Sequence, residues 1–118
     1  MTNKPAQAAE ALLARARQRQ AEGETRRAEL RARLPALAQL LRSSYGARDV
    51  FLFGSLAWGG FHARSDVDVA VSGIDPERRR DAEVAACGVM SATVELFRLE
   101  SLPVAFRDRI LREGEAIA

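Results

Sequence analysis

The feature that most constrains this chain of 118 residues is an apolar run, a Gly-Ser pair and, ten residues later, an Asp-x-Asp pair. The apolar run predicts a buried strand over residues 49–53, which Gly54 ends and after which Ser55 begins a short helix. Backbone N–H groups are free at such a turn, and a glycine lets an anion approach the main chain. Ser55 adds a hydroxyl donor, so the turn is a predicted phosphate site.

The Asp-x-Asp pair has a strand pattern of its own. A period of two places Asp66 and Asp68 on one face of a strand and three valines, Val67, Val69 and Val71, on the other. Two carboxylates about 7 Å apart along a strand repel each other unless a cation lies between them. Mg²⁺ prefers carboxylate and phosphate oxygens, so the pair predicts a divalent metal site.

Length and composition bound the rest. A chain of 118 residues that is 47% hydrophobic and 29% charged fits one globular domain. No apolar run approaches the ~18 residues of a membrane span, and the first ten residues lack a secretory apolar core, so we expect a cytoplasmic protein that binds no membrane. Cys87 is the only cysteine, which excludes an intrachain disulfide and a cysteine-built zinc site.

Basic charge is concentrated at the start of the chain. Residues 1–34 carry eight Lys or Arg against four Glu. Such an arm either contacts nucleic acid or an acidic partner, or is a solvated helix face. Interrupting glutamates favour the solvated face, and the lack of interleaved aromatic residues argues against nucleic acid.

The first third of the chain has helical composition. Residues 5–20 are rich in Ala and Arg, and we expect Gly23 to break or bend this helix and Thr25 to cap a second one. Pro35 then either kinks that helix or lies in the first turn of a new one. A single buried stripe is predicted for Leu30, Leu34, Leu37 and Leu41.

The segment before the acids supplies further candidates. Residues 59–62 predict a loop in which His62 either reaches a phosphate or is merely solvated. Arg64 and Ser65, immediately before the acids, are stronger candidates for nucleotide contact.

The second half of the chain returns to the sheet. Asp75-Pro76 predicts a helix start, and this helix runs through Val89. Residues 93–98 alternate as a third strand, in which Glu95 either faces the aspartates or is an ordinary edge-strand charge. The fold class is therefore α+β: a small mixed sheet of three to four strands with helices on one side, after an N-terminal helical extension.

Gly54-Ser55, ten residues and Asp66-x-Asp68 match the motif of a known family. The chain resembles a minimal nucleotidyltransferase, the small bacterial member of the DNA polymerase β-like superfamily. The similarity continues through residues 93–98, where the family has a third acid, and through 99–117, which resembles its closing helix. It divides the chain into a basic helical extension at 1–33 and a nucleotidyltransferase domain at 34–118.

Two positions depart from the family pattern. The family has a basic residue near the triphosphate where this chain has Trp58, an indole that either stacks on a base or packs. The family's third acid is an Asp, and here it is Glu95, one methylene longer.

The resemblance implies a nucleotidyltransferase that moves AMP from ATP to a hydroxyl of a protein acceptor with two Mg²⁺ ions. Its implied catalytic residues and metal ligands are Asp66, Asp68 and Glu95, and its implied nucleotide-binding residues are Gly54, Ser55 and Ser65. The implied partner is a HEPN-domain ribonuclease toxin, with this chain as its antitoxin and a toxin tyrosine as acceptor.

Two other functions stay open. A catalytically impaired antitoxin would neutralise its partner by binding alone, using the N-terminal helices, which are also a candidate surface for oligomer formation. Nucleic-acid binding through the basic arm is the third candidate.

Overall fold

A computed structural model describes residues 4–118 as one long helix followed by a four-stranded sheet with three shorter helices. The helices are α1 (Lys4–Tyr45), α2 (Ser55–Trp58), α3 (Arg79–Met90) and α4 (Val104–Glu113). The strands are β1 (Asp49–Phe53), β2 (Val67–Ser72), β3 (Val94–Arg98) and β4 (Glu115–Ala116). Short 3₁₀ turns at Pro76–Arg78 and Leu99–Ser101 precede α3 and α4.

The sheet is mixed, with strand order β3-β2-β1-β4. β1 pairs antiparallel with β2 and β4, whereas β2 and β3 are parallel and are joined by α3. A parallel pair needs such a crossover, because its strands start at the same end of the sheet. The predicted α+β class and the strand at residues 49–53 are confirmed.

α1 is a single helix of 42 residues, so of the break or bend predicted at Gly23 the break is excluded, and the predicted helix start at Thr25 is wrong. Glycine costs a helix about 1 kcal/mol relative to alanine, which made a break the simpler expectation. Here the loop before β2 packs on the glycine: a Cβ at Gly23 would lie 3.4 Å from His62 Cα and 3.4 Å from Phe61 O. Gly23 therefore lets the loop pack closely on the helix and does not end it. Pro35 lies inside the same helix, so no new helix begins there.

The two halves of α1 have different surroundings. Residues 5–22 are exposed throughout, with Leu12 and Leu13 at 60% and 56% exposure. Beyond Gly23 the helix packs on the domain, and the predicted stripe is buried, at 1% for Leu30, 5% for Leu34 and 0% for Leu37 and Leu41. Arginines of this half also bind the end of α3: Arg26 and Arg33 donate to the carbonyls of Ser91 and Met90 at 2.6 and 2.9 Å.

The two faces of the sheet are covered unequally. α1 and α3 pack on the face that carries Val67, Val69 and Val71, and this is the main core. α4 packs on part of the opposite face, in a smaller cluster of Phe53, Ala70, Leu99 and Ile110. The predicted layer of helices on one side is therefore α1 with α3, and α4 lies across the sheet from it. No helix within residues 4–118 has the length and apolar character needed to cross a membrane.

Candidate active site

The Gly-Ser turn lies directly against one of the predicted acids. Gly54 has φ +72° and ψ −158°, a conformation that residues with a Cβ rarely adopt. A Cβ there would also collide with the Asp68 carboxylate, whose Cγ would be only 3.1 Å away. Both the backbone angle and the contact therefore require glycine, and together they place the turn beside the acids.

α2 is a single helical turn whose hydrogen bonds are accepted by the Gly54 carbonyl. The N–H groups of Ala57 and Trp58 donate to the Gly54 carbonyl at 3.2 and 2.8 Å. The Ser55 hydroxyl is half-buried and makes no hydrogen bond within the part of the chain that the structure describes. It is free to donate to a ligand bound at the turn.

Two carboxylates lie on the same face of the sheet, and a third lies close enough to act on one of them. Asp68 in β2 is the register partner of Glu95 in β3, and on its other side it is the partner of Phe53 in β1. Register partners on neighbouring strands project to the same side. Asp66 precedes Asp68 by two residues, although β2 begins only at Val67, so Asp66 lies at the end of the preceding loop.

The three acids interact electrostatically. Burial, then the neighbouring carboxylates of Glu95 and Asp66, raises the pKa of Asp68 from 3.8 to about 6. Among residues 4–118, none of the three forms an ion pair. A group of acids with no internal cation has unneutralised negative charge, which a bound metal ion would offset.

The donor chemistry of this group fits Mg²⁺, which takes carboxylate oxygens together with phosphate oxygens. Within the described residues, however, no three His, Cys, Asp or Glu side chains are gathered closely enough to hold one ion between them. The structure therefore brings Asp66, Asp68 and Glu95 into one neighbourhood without collecting them around a common centre.

Sequence comparison places this arrangement in a family. The family described as polymerase beta, nucleotidyltransferase, matches residues 36–118, which contain the Gly-Ser turn and all three acids. The chain belongs to this nucleotidyltransferase family. The match begins close to the boundary predicted between residues 33 and 34, and α1 runs through both positions without interruption.

Solved structures of similar proteins agree with the family. A protein assigned as a minimal nucleotidyltransferase is 31% identical, with 72% of this chain and 89% of that chain covered and a TM-score of 0.64. A toxin-antitoxin structure with AMP-PNP is 25% identical over 69% of this chain and 68% of that one, with a TM-score of 0.62.

A third structure shares the fold. It is the complex of tri-AMPylated Shewanella oneidensis HEPN toxin with MNT antitoxin, 19% identical over 75% of this chain and 71% of that one, with a TM-score of 0.59. Among proteins with curated descriptions, none matches the chain.

Trp58, where the resemblance expects a basic residue, packs on the protein. Its indole Nε1–H donates to the Glu113 carbonyl at 2.8 Å, and its ring centroid lies 6.0 Å from that of Phe53. Of the two roles left open by the sequence, the structure shows packing, which joins α2 to the end of α4.

Ser65 is held in a tight turn before β2. Its hydroxyl accepts from the His62 N–H at 3.1 Å, and its own N–H donates to the His62 carbonyl at 2.9 Å. The His62 ring also accepts, through Nδ1, from the Arg64 N–H at 3.2 Å. His62 thus stabilises the loop that leads into the acids, while the Arg64 side chain is exposed.

Sequence reasoning missed two charged residues near the C-terminus. Glu115 lies in β4, and its two carboxylate oxygens accept from Arg31 Nη2 at 2.8 and 2.7 Å, which ties α1 to the sheet. Arg109 was not singled out, yet its guanidinium carbon lies 4.4 Å from the centre of the Trp58 ring. The spacing of four between Arg109 and Glu113 predicts an ion pair within the helix, but nothing in the sequence indicates the contact with Trp58.

Proposed function

We propose that this nucleotidyltransferase moves AMP from ATP to a hydroxyl of a protein acceptor and acts as the antitoxin of a HEPN toxin. The observation that carries the proposal is the Gly54 turn pressed against Asp68, with Glu95 registered beside it. A glycine turn for phosphate and a group of unpaired acids for metal lie within one face of one small sheet.

Phosphate binding falls to the turn. The backbone at Gly54 and the free hydroxyl of Ser55 would donate to β- and γ-phosphate oxygens, because no side chain blocks an anion there. Ser65 supports the site by fixing the loop before Asp66, with its hydroxyl already engaged by His62.

Asp66, Asp68 and Glu95 would hold two Mg²⁺ ions, which supply neutralisation of the triphosphate charge and activation of the acceptor hydroxyl. In the transfer, the acceptor oxygen forms a bond to the α-phosphorus. The bond from the α-phosphorus to the bridging oxygen breaks, and pyrophosphate leaves. Glu95, exposed on β3, accepts the hydroxyl proton.

Glu95 is exposed at one edge of the sheet, which suits a macromolecular acceptor. β3 is the edge strand, and a cleft of about 500 Å³ lies beside Glu95. Two side chains of α3 bind the β3 main chain at Leu96. Arg79 donates to the Leu96 carbonyl at 2.9 Å, and Glu83 accepts from the Leu96 N–H at 3.0 Å. Those contacts occupy the edge without covering Glu95, so a hydroxyl presented by another protein can approach it.

Similar proteins support the partner. The complex that shares the fold contains a tri-AMPylated HEPN toxin and an MNT antitoxin, and the toxin-antitoxin structure at 25% identity was determined with AMP-PNP. We infer by analogy a HEPN toxin with an acceptor tyrosine, in the cytoplasm where ATP is supplied.

The test is a transfer assay with α-labelled ATP and Mg²⁺, using the chain co-expressed with a HEPN-domain protein as the acceptor. We expect label on the partner from the wild type and none from Asp68→Asn, with neutralisation lost in the variant. If the wild type and Asp68→Asn both neutralised the toxin and neither labelled it, the proposal would be contradicted. The protein would then be an antitoxin that acts by binding alone.

A further inference from the structure

The Arg109 side chain is fixed from two sides. Its guanidinium carbon lies 4.4 Å from the centroid of the Trp58 ring, and its Nε donates to the Glu113 carboxylate at 2.9 Å. A long side chain ordinarily loses considerable conformational entropy when it binds a ligand. Part of that loss has already occurred here, because the ring and the carboxylate restrict the guanidinium.

Trp58, on which Arg109 lies, is fixed in turn. The indole donates to the Glu113 carbonyl at 2.8 Å and packs on Phe53 with ring planes at 52°. Glu113 thus holds the indole through its main chain and Arg109 through its side chain. The position of the guanidinium relative to α2 is therefore set by the fold.

This position lies toward the Gly-Ser turn. Trp58 is the last residue of α2, a helix of four residues that begins at Ser55, directly after Gly54. The ring's neighbour Phe53 is the register partner of Asp68. Arg109, in the helix that packs on this face, therefore lies on the acid-bearing side of the sheet and contacts the helix that follows the Gly-Ser turn.

Arg109 also has donors to spare. Within residues 4–118 its two terminal amino groups make no hydrogen bond, since the contact with Glu113 uses Nε alone. α2 itself, Ser-Leu-Ala-Trp, carries no basic residue. A polyphosphate at the turn would face three acids, and a guanidinium can bind it with two parallel hydrogen bonds.

We propose that Arg109, held on the Trp58 indole, binds the terminal phosphates of the nucleoside triphosphate at the Gly54 turn. Trp58 is then a positioning residue, which acts by presenting the guanidinium. This inference rests on the proposed function for the location of the nucleotide.

The experiment is calorimetric titration of the full chain with AMP-PNP and, separately, with AMP, each in MgCl₂. Arg109→Ala is expected to weaken AMP-PNP binding about 10- to 100-fold, the size of a lost charge-assisted contact, and to change AMP binding less than about twofold. Arg109→Lys should restore only part of the affinity, because an ammonium cannot bind two oxygens in the guanidinium geometry. Arg112→Ala is the matched control on the same helix, since Arg112 is exposed and donates only to the Asp108 carbonyl.

Trp58 variants separate presentation from packing. Trp58→Phe keeps an aromatic face under Arg109 and loses the indole hydrogen bond, whereas Trp58→Ala loses both. We expect Trp58→Phe to retain most of the AMP-PNP affinity and Trp58→Ala to match Arg109→Ala. Wild-type AMP-PNP affinity in Trp58→Ala would contradict the positioning role.

Failures of the two proposals are distinguishable. AMP-PNP binding that requires Asp68 but is unchanged in Arg109→Ala would overturn the inference alone. An equal loss for AMP and AMP-PNP in Arg109→Ala would also overturn it, because AMP lacks the terminal phosphates. No binding of AMP-PNP to the wild type would overturn both the inference and the proposed function.

Discussion

The two faces of β2 carry opposite kinds of residues and have opposite surroundings. One face presents Val67, Val69 and Val71 to α1 and α3, and all three are fully buried. The other presents Asp68, which is half-buried, beside Glu95, which is exposed, while α4 packs on the cluster around Phe53 and Ala70. The covered face therefore contributes most of the free energy of folding. The other face has Asp68 and Glu95 accessible to a ligand. Substitutions on the two faces should change different measured quantities.

The largest effect is expected on the acid face, for transfer and not for stability. Asp66→Asn should lower the single-turnover rate of AMP transfer about 1,000-fold, which corresponds to about 4 kcal/mol of lost charge stabilisation. Its urea midpoint should stay near the wild-type value, because Asp66 is exposed. Glu100→Gln is the control, since Glu100 accepts from the Gly73 N–H and lies outside the site. A rate within tenfold of wild type for Asp66→Asn would remove Asp66 from the site.

On the covered face the effect reverses. Leu37→Ala should cost about 2–5 kcal/mol of unfolding free energy in urea, because Leu37 is fully buried and its truncation leaves a cavity. Leu12→Ala, in the same helix at 60% exposure, should change stability by less than about 0.5 kcal/mol. An equal loss of unfolding free energy in the two variants would mean that residues 5–22 are buried in solution, for example against a second copy of the chain.

Gly54 is the point at which fold and site coincide. Gly54→Ala should cost about 2–4 kcal/mol, from a strained positive φ and from the collision with Asp68, and should also abolish AMP-PNP binding. Gly59→Ala, with φ +104° and nothing within 4 Å of its added Cβ, should cost only the strain of about 1–2 kcal/mol and leave binding intact. If both variants lost AMP-PNP binding, the cause would be strain in the backbone around α2 and not the collision between position 54 and Asp68.

The smallest predicted effect concerns the charge of Asp68. Its pKa of about 6 in the folded protein lies above the ordinary 3.8, so the protonated form is favoured by folding. The associated stability is complete below pH 4 and is lost as the pH rises through 6. Asp68→Asn should therefore raise stability at pH 7 by roughly 1 kcal/mol, a value reduced for solvent screening, and should not raise it at pH 4.

Urea unfolding at the two pH values measures this difference. Asp108→Asn, at an exposed position of α4, is the control and should show no such gain. A gain for Asp68→Asn that is equal at pH 4 and pH 7 would mean that charge is not its cause.

Much of this architecture follows from local patterns. The apolar run, the Gly-Ser pair and the alternation around Asp68 predict β1, α2 and the acid-bearing strand, because each depends on neighbours within a few residues. The leucine stripe of α1 is also local, and its burial is confirmed.

What the patterns do not predict are contacts between distant segments. Gly23 was expected to break or bend a helix. It instead allows a close contact with the loop at Phe61 and His62, which lies about forty residues further along and is not visible in the local pattern. Trp58 and Arg109 are 51 residues apart in the sequence. Only the fold brings the ring and the guanidinium together. The cation expected near position 58 would then be supplied by α4.

We propose that Asp66, Asp68 and Glu95 act together in binding metal and nucleotide, although they are not gathered around one centre in the free protein. The most direct test of this proposal is a ¹³C NMR titration of the side-chain carboxyl carbons with and without MgCl₂ and AMP-PNP. We expect Asp68 to titrate with a pKa of about 6 in the free protein, and all three carboxyl signals to shift when Mg²⁺ and AMP-PNP are added, with the pKa of Asp68 falling. The proposal would be contradicted if Asp68 had a pKa near 3.8 in the free protein and if the three carboxyl signals did not shift on addition of Mg²⁺ and AMP-PNP.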